Sequence, residues 1–373
     1  MKAIAEFGEE PAWIANAIAG EQQPAMHEYL MMSSLVSLPV TVLSGLVDAD
    51  RSSGVALRAG TLASPTQVSA DAQKRGVELI EARRLIGSWY ASDSAYRTSA
   101  LEKLRQVISH DKFAPIAGRN TAQQVRAMLG KLGIIDAAGP IGDLVSVVES
   151  LGVPVELSTD MPDGLHGVTV HDEALGSWDA AIVLRVADYW TRQRYTLAHE
   201  LCHVLYRDSG LVSINNEETA TSGTDVERRA ESFARHFLMP TGSASRVWRY
   251  HSTRSDHRKS LCELMMHFGV SRDAALIFLS AEGLISQTSV EGLRRDLVKD
   301  QMRETGLGSA WEQLIAGQHD PSASVWLLES ALKLYRQRLV PASLVASVLG
   351  QSESSILGDL ERQGWSPGEN PNF

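Results

Sequence analysis

The sequence predicts an α+β fold, mostly helical, with a small sheet, one helix carrying H-E-x-x-H, and flanking helical domains. Three observations lead there. Apolar residues recur at helical spacing over much of the chain. The strand-like stretches are few and short, and they cluster between residues 153 and 186. The order helix, strands, helix, loop, helix that follows Pro140 is that of a compact α+β unit.

Composition sets the frame. The chain has 373 residues, enough for two or three domains, and 44% hydrophobic against 21% charged residues marks it as globular, not disordered. Lys and Arg number 35 against 45 Asp and Glu, for a net charge of −10, which excludes a surface that is basic throughout. Two cysteines, Cys202 and Cys262, make no disulfide framework and fit a reducing, cytoplasmic setting. Met1–Glu10 carries one Lys and three Glu and no apolar block, so it does not read as a signal peptide. Leu30–Val47 is uncharged, but four serines, Thr41, Gly45 and Pro39 make it a buried helix broken at the proline and not a membrane span.

Taken in order, residues 1–60 form a first segment, ending in a polar, Gly-rich break at 51–60. Residues 61–135 are a helical lead domain, with Leu79, Ile80, Leu85, Ile86 and Trp89 at helical spacing. From Asp71 to Ile135 there are 11 Lys and Arg against 6 Asp and Glu, read as a solvated helix face. Residues 136–250 hold the sheet and the chemistry. Ile141–Leu151 is an amphipathic helix that Gly152 caps, Val153–Leu157 alternates as a strand, and Gly167–His171 and Ala181–Val186 are two more strands. A helix from about Tyr195 to Arg207, a polar loop to Thr224 and a helix from about Asp225 to Met239 follow, with Pro240 as the stop and 240–255 as a break. Residues 251–316 form a helical extension. Residues 317–373 form a C-terminal module of three helices, Trp326–Arg338, Pro341–Leu349 and Glu353–Leu360, with a frayed Pro- and Gly-rich tail.

The chemistry lies in His199-Glu200-Leu-Cys-His203. Residues four apart share a helix face, so both imidazoles can reach one ion, and Zn²⁺ accepts tetrahedral nitrogen ligands. Glu200 is turned about 100° from His199. It is placed to hold a water and take its proton as the water attacks a carbonyl. Leu197, Leu201, Val204 and Leu205 supply an apolar face, so the helix is packed. Ile182, Val183, Leu184 and Arg185, just upstream, are expected to form a substrate-binding edge strand.

A catalytic zinc site needs a third protein ligand. The helix after the loop places Glu227 and Glu231 one turn apart on one face, away from the stripe of Val226, Ala230, Phe233, Ala234, Phe237 and Leu238. One can ligate while the other accepts the free N–H of a ligand histidine and fixes its tautomer. Glu227 is favoured as the ligand, and Glu231 is the alternative. Cys202, between the two histidines, reads as a small buried residue. The group that would stabilise an oxyanion is open among Tyr195, His166, His171 and His236.

These residues resemble the ImmA/IrrE family of zinc metallopeptidases. Its pattern, R-[FY]-x-x-A-H-E-x-x-H, a variable loop, then E-x-x-A-N-x-F-A-x-x-L-L-M-P, reads here as Arg194-Tyr195-Thr-Leu-Ala198-His199-Glu200-Leu-Cys-His203 and Glu227-Arg-Arg-Ala230-Glu231-Ser-Phe233-Ala234-Arg-His-Phe-Leu238-Met239-Pro240. Cys202 stands where glycine is usual and Glu231 where asparagine is usual. The resemblance extends over about residues 120–290 and implies His199, His203 and Glu227 as ligands of one zinc ion per chain, with Glu200 as acid and base. Leu261–Leu279 resembles a small helix-turn-helix element. Trp13–Gly20 and Pro24–Val47 are similar to the back half of an XRE-type helix-turn-helix domain, read as a remnant.

That resemblance implies an intracellular peptidase cutting a protein substrate, an XRE-type transcriptional repressor of a stress, phage or mobile-element locus. The alternative is a regulatory, antitoxin-like protein that binds DNA or protein and uses the peptidase fold as a scaffold. Residues 1–60 hold 3 basic and 7 acidic residues, which disfavours DNA binding there. The C-terminal module is a candidate for homodimerisation, and no membrane partner is expected.

Overall fold

The computed structural model describes residues 55–58, 65–161, 165–174, 177–186, 189–208, 225–316 and 321–363. The helix-turn-helix-like reading of the N-terminus, the body of the loop up to Thr224 and the C-terminal tail lie outside them.

A four-stranded mixed sheet organises the molecule. Its strands are β1 (Val55–Arg58), β2 (Val155–Ser158), β3 (Gly167–Ala174) and β4 (Ser177–Arg185), in the order β1-β3-β4-β2. β3 and β4 pair antiparallel with Thr169 opposite Ile182, β2 runs parallel to β4 with Val155 opposite Ile182, and β1 is antiparallel to β3 with Arg58 opposite Gly167. Ile182, Val183 and Leu184 are therefore paired on both sides and buried, and Arg185 pairs with Ser158 and donates its backbone N–H to the His166 carbonyl at 3.0 Å. The expectation of a substrate-binding edge in these residues is corrected: β4 is an interior strand. A near-continuous apolar run marks a strand covered on both faces, and Ala180–Leu184 is such a run.

Alternation divides the sheet's side chains between two cores. Val168, Val170, Ala181 and Val183 face α1 (Pro65–Trp89) and the C-terminal helices. Ala180, Ile182 and Leu184 face the opposite way, toward α5 (Trp190–Tyr206). The lead helices α2 (Ala91–Arg105) and α3 (Ala114–Lys131), the short α4 (Leu144–Glu149), α5, and α6 (Asp225–Leu238) all contribute to this second core. So do α7 (Thr241–Ser252), α8 (His257–Phe268), α9 (Arg272–Ala281), α10 (Gln287–Arg294), α11 (Val298–Glu304) and α12 (Gly308–Ala316). One apolar cluster thus runs from Ala100 to Trp311, so the expected boundaries at 135/136 and 250/251 fall inside a single core. The C-terminal helices α13 (Val325–Arg336), α14 (Ala342–Leu349) and α15 (Glu353–Arg362) join α1 in the other. Arg84 ties α1 to the β3–β4 hairpin through Asp179 at 2.7 Å and Asp172 at 2.5 Å, and Arg83 adds a second contact to Asp179.

Several bounds differ from the sequence reading for local reasons. α4 starts late because Asp143 caps it, accepting from the Ser146 backbone N–H at 3.0 Å. α5 begins at Trp190, where the polar run Thr191–Arg194 hides the helical period. The expected break at 240–255 is a helix: Pro240 ends α6, and its φ of −63° and ψ of 123° also make it the residue from which α7 starts. Among the described residues no single helix is long and apolar enough to cross a membrane.

Candidate metal centre

α5 brings its polar residues into the interior. Leu197, Leu201, Val204 and Leu205 bury one side of it, yet His199, Glu200 and His203 are also no more than 1% exposed. A helix buried on this many sides cannot leave imidazoles and a carboxylate unmatched without a large cost. The two imidazole rings lie 4.8 Å apart between centroids.

Glu227 closes the set from the first turn of α6. Its Oε2 lies 3.2 Å from His199 Nε2 and its Oε1 3.7 Å from His203 Nε2. One ligand atom from each of the three residues falls within 4.8 Å of the others. Close contact between α3 and α6 sets this helix in place. Gly118 of α3 faces the α6 backbone, where a Cβ would come within 2.8 Å of the Phe233 nitrogen. Ala230, Phe233, Ala234 and Phe237 complete the packing, with Phe233 and Phe237 stacked at 5.0 Å.

The donor set fits a tetrahedral divalent ion. His203 Nδ1 is 2.9 Å from Asp208 Oδ2, which fixes the ring and leaves Nε2 facing the cluster, buried and without a hydrogen-bond partner among the described residues. Burial alone would push the His203 pKa down. The Asp208 hydrogen bond and the charges of Glu200 and Glu227 outweigh it and hold the ring above the usual imidazole value. This cluster of negative charge is the surrounding a cation needs. Cys202 is fully buried and its thiol pKa is pushed up by desolvation, so it stays a neutral packing residue between the two histidines.

Asp208 takes an orienting role on His203 that sequence reasoning did not foresee. Arg207 ends α5 with φ 53° and ψ 43°, a left-handed turn that folds the next residue back beneath His203. Arg229 then holds both oxygens of Asp208, at 2.7 and 2.6 Å, and its guanidinium lies 3.7 Å from the Tyr206 ring centroid. Tyr206 donates to the Ser109 carbonyl at 2.7 Å, bracing the network against the segment that joins α2 and α3. Glu231 is half-buried and outside the three-residue cluster. Its backbone carbonyl accepts the Tyr195 hydroxyl at 3.1 Å.

Glu200 is positioned from β3. Thr169 Oγ1 donates to its Oε2 at 2.7 Å. Gly167 lies over the same side chain, where a Cβ would stand 3.1 Å from Glu200 Oε1 and 2.6 Å from Thr196 Cγ2. Neither residue was expected from the sequence. The available signal was the pair of small residues, Gly167 and Thr169, alternating with Val168 and Val170. Among the oxyanion candidates, His236 is committed to the core: its Nδ1 lies 2.8 Å from the Ser232 carbonyl, and burial pushes its pKa down to about 4. His171 stacks on Trp178 at 5.3 Å.

Residues 149–280 match the family model of the M78 peptidases, described as the IrrE N-terminal-like domain. Curated proteins and solved structures give no match. The match begins at the end of α4, contains both motifs and every residue of the cluster, and closes within α9. Residues 149–280 are therefore similar to the IrrE N-terminal-like domain of the M78 peptidases, and the three-residue cluster built from α5 and α6, with β3 beside Glu200, lies inside that segment.

Proposed function

We propose that this protein is a single-zinc metallopeptidase, with His199, His203 and Glu227 holding the ion and Glu200 serving as acid and base. The observation that carries the reading is the convergence of three ligand atoms within 4.8 Å beside a buried carboxylate at the next position on the helix. A zinc ion in this set supplies Lewis acidity, polarising a peptide carbonyl and lowering the pKa of water. The protein's own groups do the rest. Glu200, fixed by Thr169, takes the proton of the attacking water and returns it to the leaving amine. Asp208 and Arg229 keep His203 in the tautomer that presents Nε2. The buried wall around α5 keeps the site in a low-dielectric setting, where these charges act strongly.

The substrate class follows from the resemblance: a protein, of the XRE-type repressor kind, cut at one site in the cytoplasm. With β4 interior, the outermost strand on the Glu200 side of the sheet is β1, and an extended substrate segment would add there. A purely regulatory scaffold has no need for a general base held by a hydroxyl, which favours the enzyme over the antitoxin-like alternative.

The test is elemental analysis of purified wild type beside His199→Ala, Glu227→Gln, Glu231→Gln and Glu200→Gln, followed by incubation with repressors encoded near its gene. The expected result is about one zinc in wild type, Glu231→Gln and Glu200→Gln. His199→Ala and Glu227→Gln lose it, and cleavage disappears in Glu200→Gln. Metal loss in Glu231→Gln but not Glu227→Gln would move the ligand role to Glu231. A wild type that takes up no divalent metal would refute the peptidase reading.

A further inference from the structure

The stretch from Ser232 to Ser255 contains four arginines and no Asp or Glu, in a chain whose net charge is −10. α7 sorts this composition by face. Ala244 and Trp248 are buried, while Gly242, Arg246, Arg249, Tyr250 and Thr253 are exposed. These positions recur at the three- and four-residue spacing of one helix face, and Arg254 continues the face past the last turn. Arg246, Arg249 and Arg254 form no ion pair within 4 Å among the described residues. Arg246 donates to Ser243 Oγ at 2.9 Å. Arg254 donates to the Tyr250 carbonyl at 2.9 Å and lies 3.9 Å from the centre of its ring, and Tyr250 is 56% exposed. Several other cations are paired internally. Arg258 pairs with Asp296 and Glu304, Arg294 with Asp273, and Arg119 with Glu282.

We propose that this face of α7 binds the phosphodiester backbone of a nucleic acid, with Arg246, Arg249 and Arg254 on phosphates and Tyr250 as a stacking surface. Arginine's fixed fork suits phosphate oxygens, and an exposed aromatic beside it is the usual partner of an unstacked base. Arg246 and Arg254 lie eight positions apart, about 12 Å at helical rise. That length covers two or more phosphates of one strand, each about 3.4 Å apart along a duplex axis. Charge complementarity selects this helix over the helix-turn-helix-like pair α8–α9. There Gly269 makes the turn with φ 64° and Ser271 caps the second helix, but Arg272 donates to the Asp296 carbonyl and Asp273 brings negative charge to the first turn. Nucleic-acid contact is thus assigned to a helix outside both helix-turn-helix resemblances, and it stands whether or not the metal centre cleaves peptides.

The experiment is fluorescence anisotropy of the full chain with a labelled 20-base-pair duplex and with labelled dT20, at 50 to 200 mM salt. Three phosphate contacts give an expected slope of log Kd on log salt of about 2.7 for a duplex and about 2 for a single strand. Replacing Arg246, Arg249 and Arg254 together by Gln is expected to weaken binding at least tenfold and flatten that slope, with metal content and melting temperature unchanged. Tighter binding of dT20 identifies the single strand as ligand and tighter binding of the duplex the double helix; either upholds the assignment. Three results would overturn it: no binding at 50 mM salt, a triple variant that keeps the wild-type slope, or polyglutamate that binds as tightly as DNA, which would make the partner an acidic protein.

Discussion

Thr169 Oγ1 and Glu200 Oε2 lie 2.7 Å apart, joining the strand β3 to the carboxylate proposed to move the proton. A hydrogen bond to a charged group contributes roughly 1.5–3 kcal/mol. Thr169→Val keeps the shape and removes the donor. Its expected effect is a fall in kcat of about 10- to 100-fold, with zinc content unchanged. Full activity in this variant would mean that Glu200 is held by other means.

Asp208 is expected to act on the metal through His203, from which it is 2.9 Å. Losing such an outer carboxylate typically costs 10- to 100-fold in metal affinity. Asp208→Asn should show that loss in competition with a chromophoric chelator, and Arg229→Met a smaller one in the same direction. Equal zinc affinity in wild type and Asp208→Asn would remove Asp208 from the centre.

Gly167 admits no side chain at its position over α5. A Cβ there meets Thr196 Cγ2 at 2.6 Å and Glu200 at 3.1 Å. Gly167→Val is expected to destabilise the fold by about 1–3 kcal/mol, as overpacking does, and to lower activity by displacing Glu200. Urea denaturation reads the first effect, and an unchanged midpoint would show that α5 and β3 separate without cost.

His236 gives the chain a pH dependence. Burial holds its folded pKa near 4, against about 6.5 in the unfolded chain, so between these values the unfolded state binds the extra proton. Its contribution to stability is complete above about pH 6.5 and declines as pH falls toward 4, by at most roughly 3 kcal/mol. His236→Gln, which keeps a donor for the Ser232 carbonyl, should flatten the denaturation midpoint over that range. A variant as acid-sensitive as wild type would assign the dependence to other groups.

The parts of this architecture that a sequence shows are those encoded within one helix. His199 and His203 share a face by spacing alone, and the Glu227 helix is legible from its stripe of Ala230, Phe233, Ala234 and Phe237. What spacing does not encode is who approaches from elsewhere. Asp208 reaches His203 only because Arg207 adopts a left-handed conformation that its residue type does not announce. β4 reads as an exposed edge until β2 is placed parallel to it on the side away from β3. Thr169 belongs to a strand whose register over α5 is a tertiary fact.

The Glu149 side chain has a bearing on how this protein could be re-engineered or inherited. It sits at the first residue of the family-matched segment, and burial raises its pKa despite hydrogen bonds from Ser324 Oγ and the Trp326 and Val155 backbones. The boundary of the segment is thus a buried carboxylate shared with the C-terminal module, not a hinge. The matched residues are no cassette. Moved alone into another host, they would arrive with an open core on one face of the sheet and an acid lacking its Ser324 and Trp326 donors. Recombination among relatives should therefore preserve α1 and α13–α15 together with the matched segment whose sheet they cover.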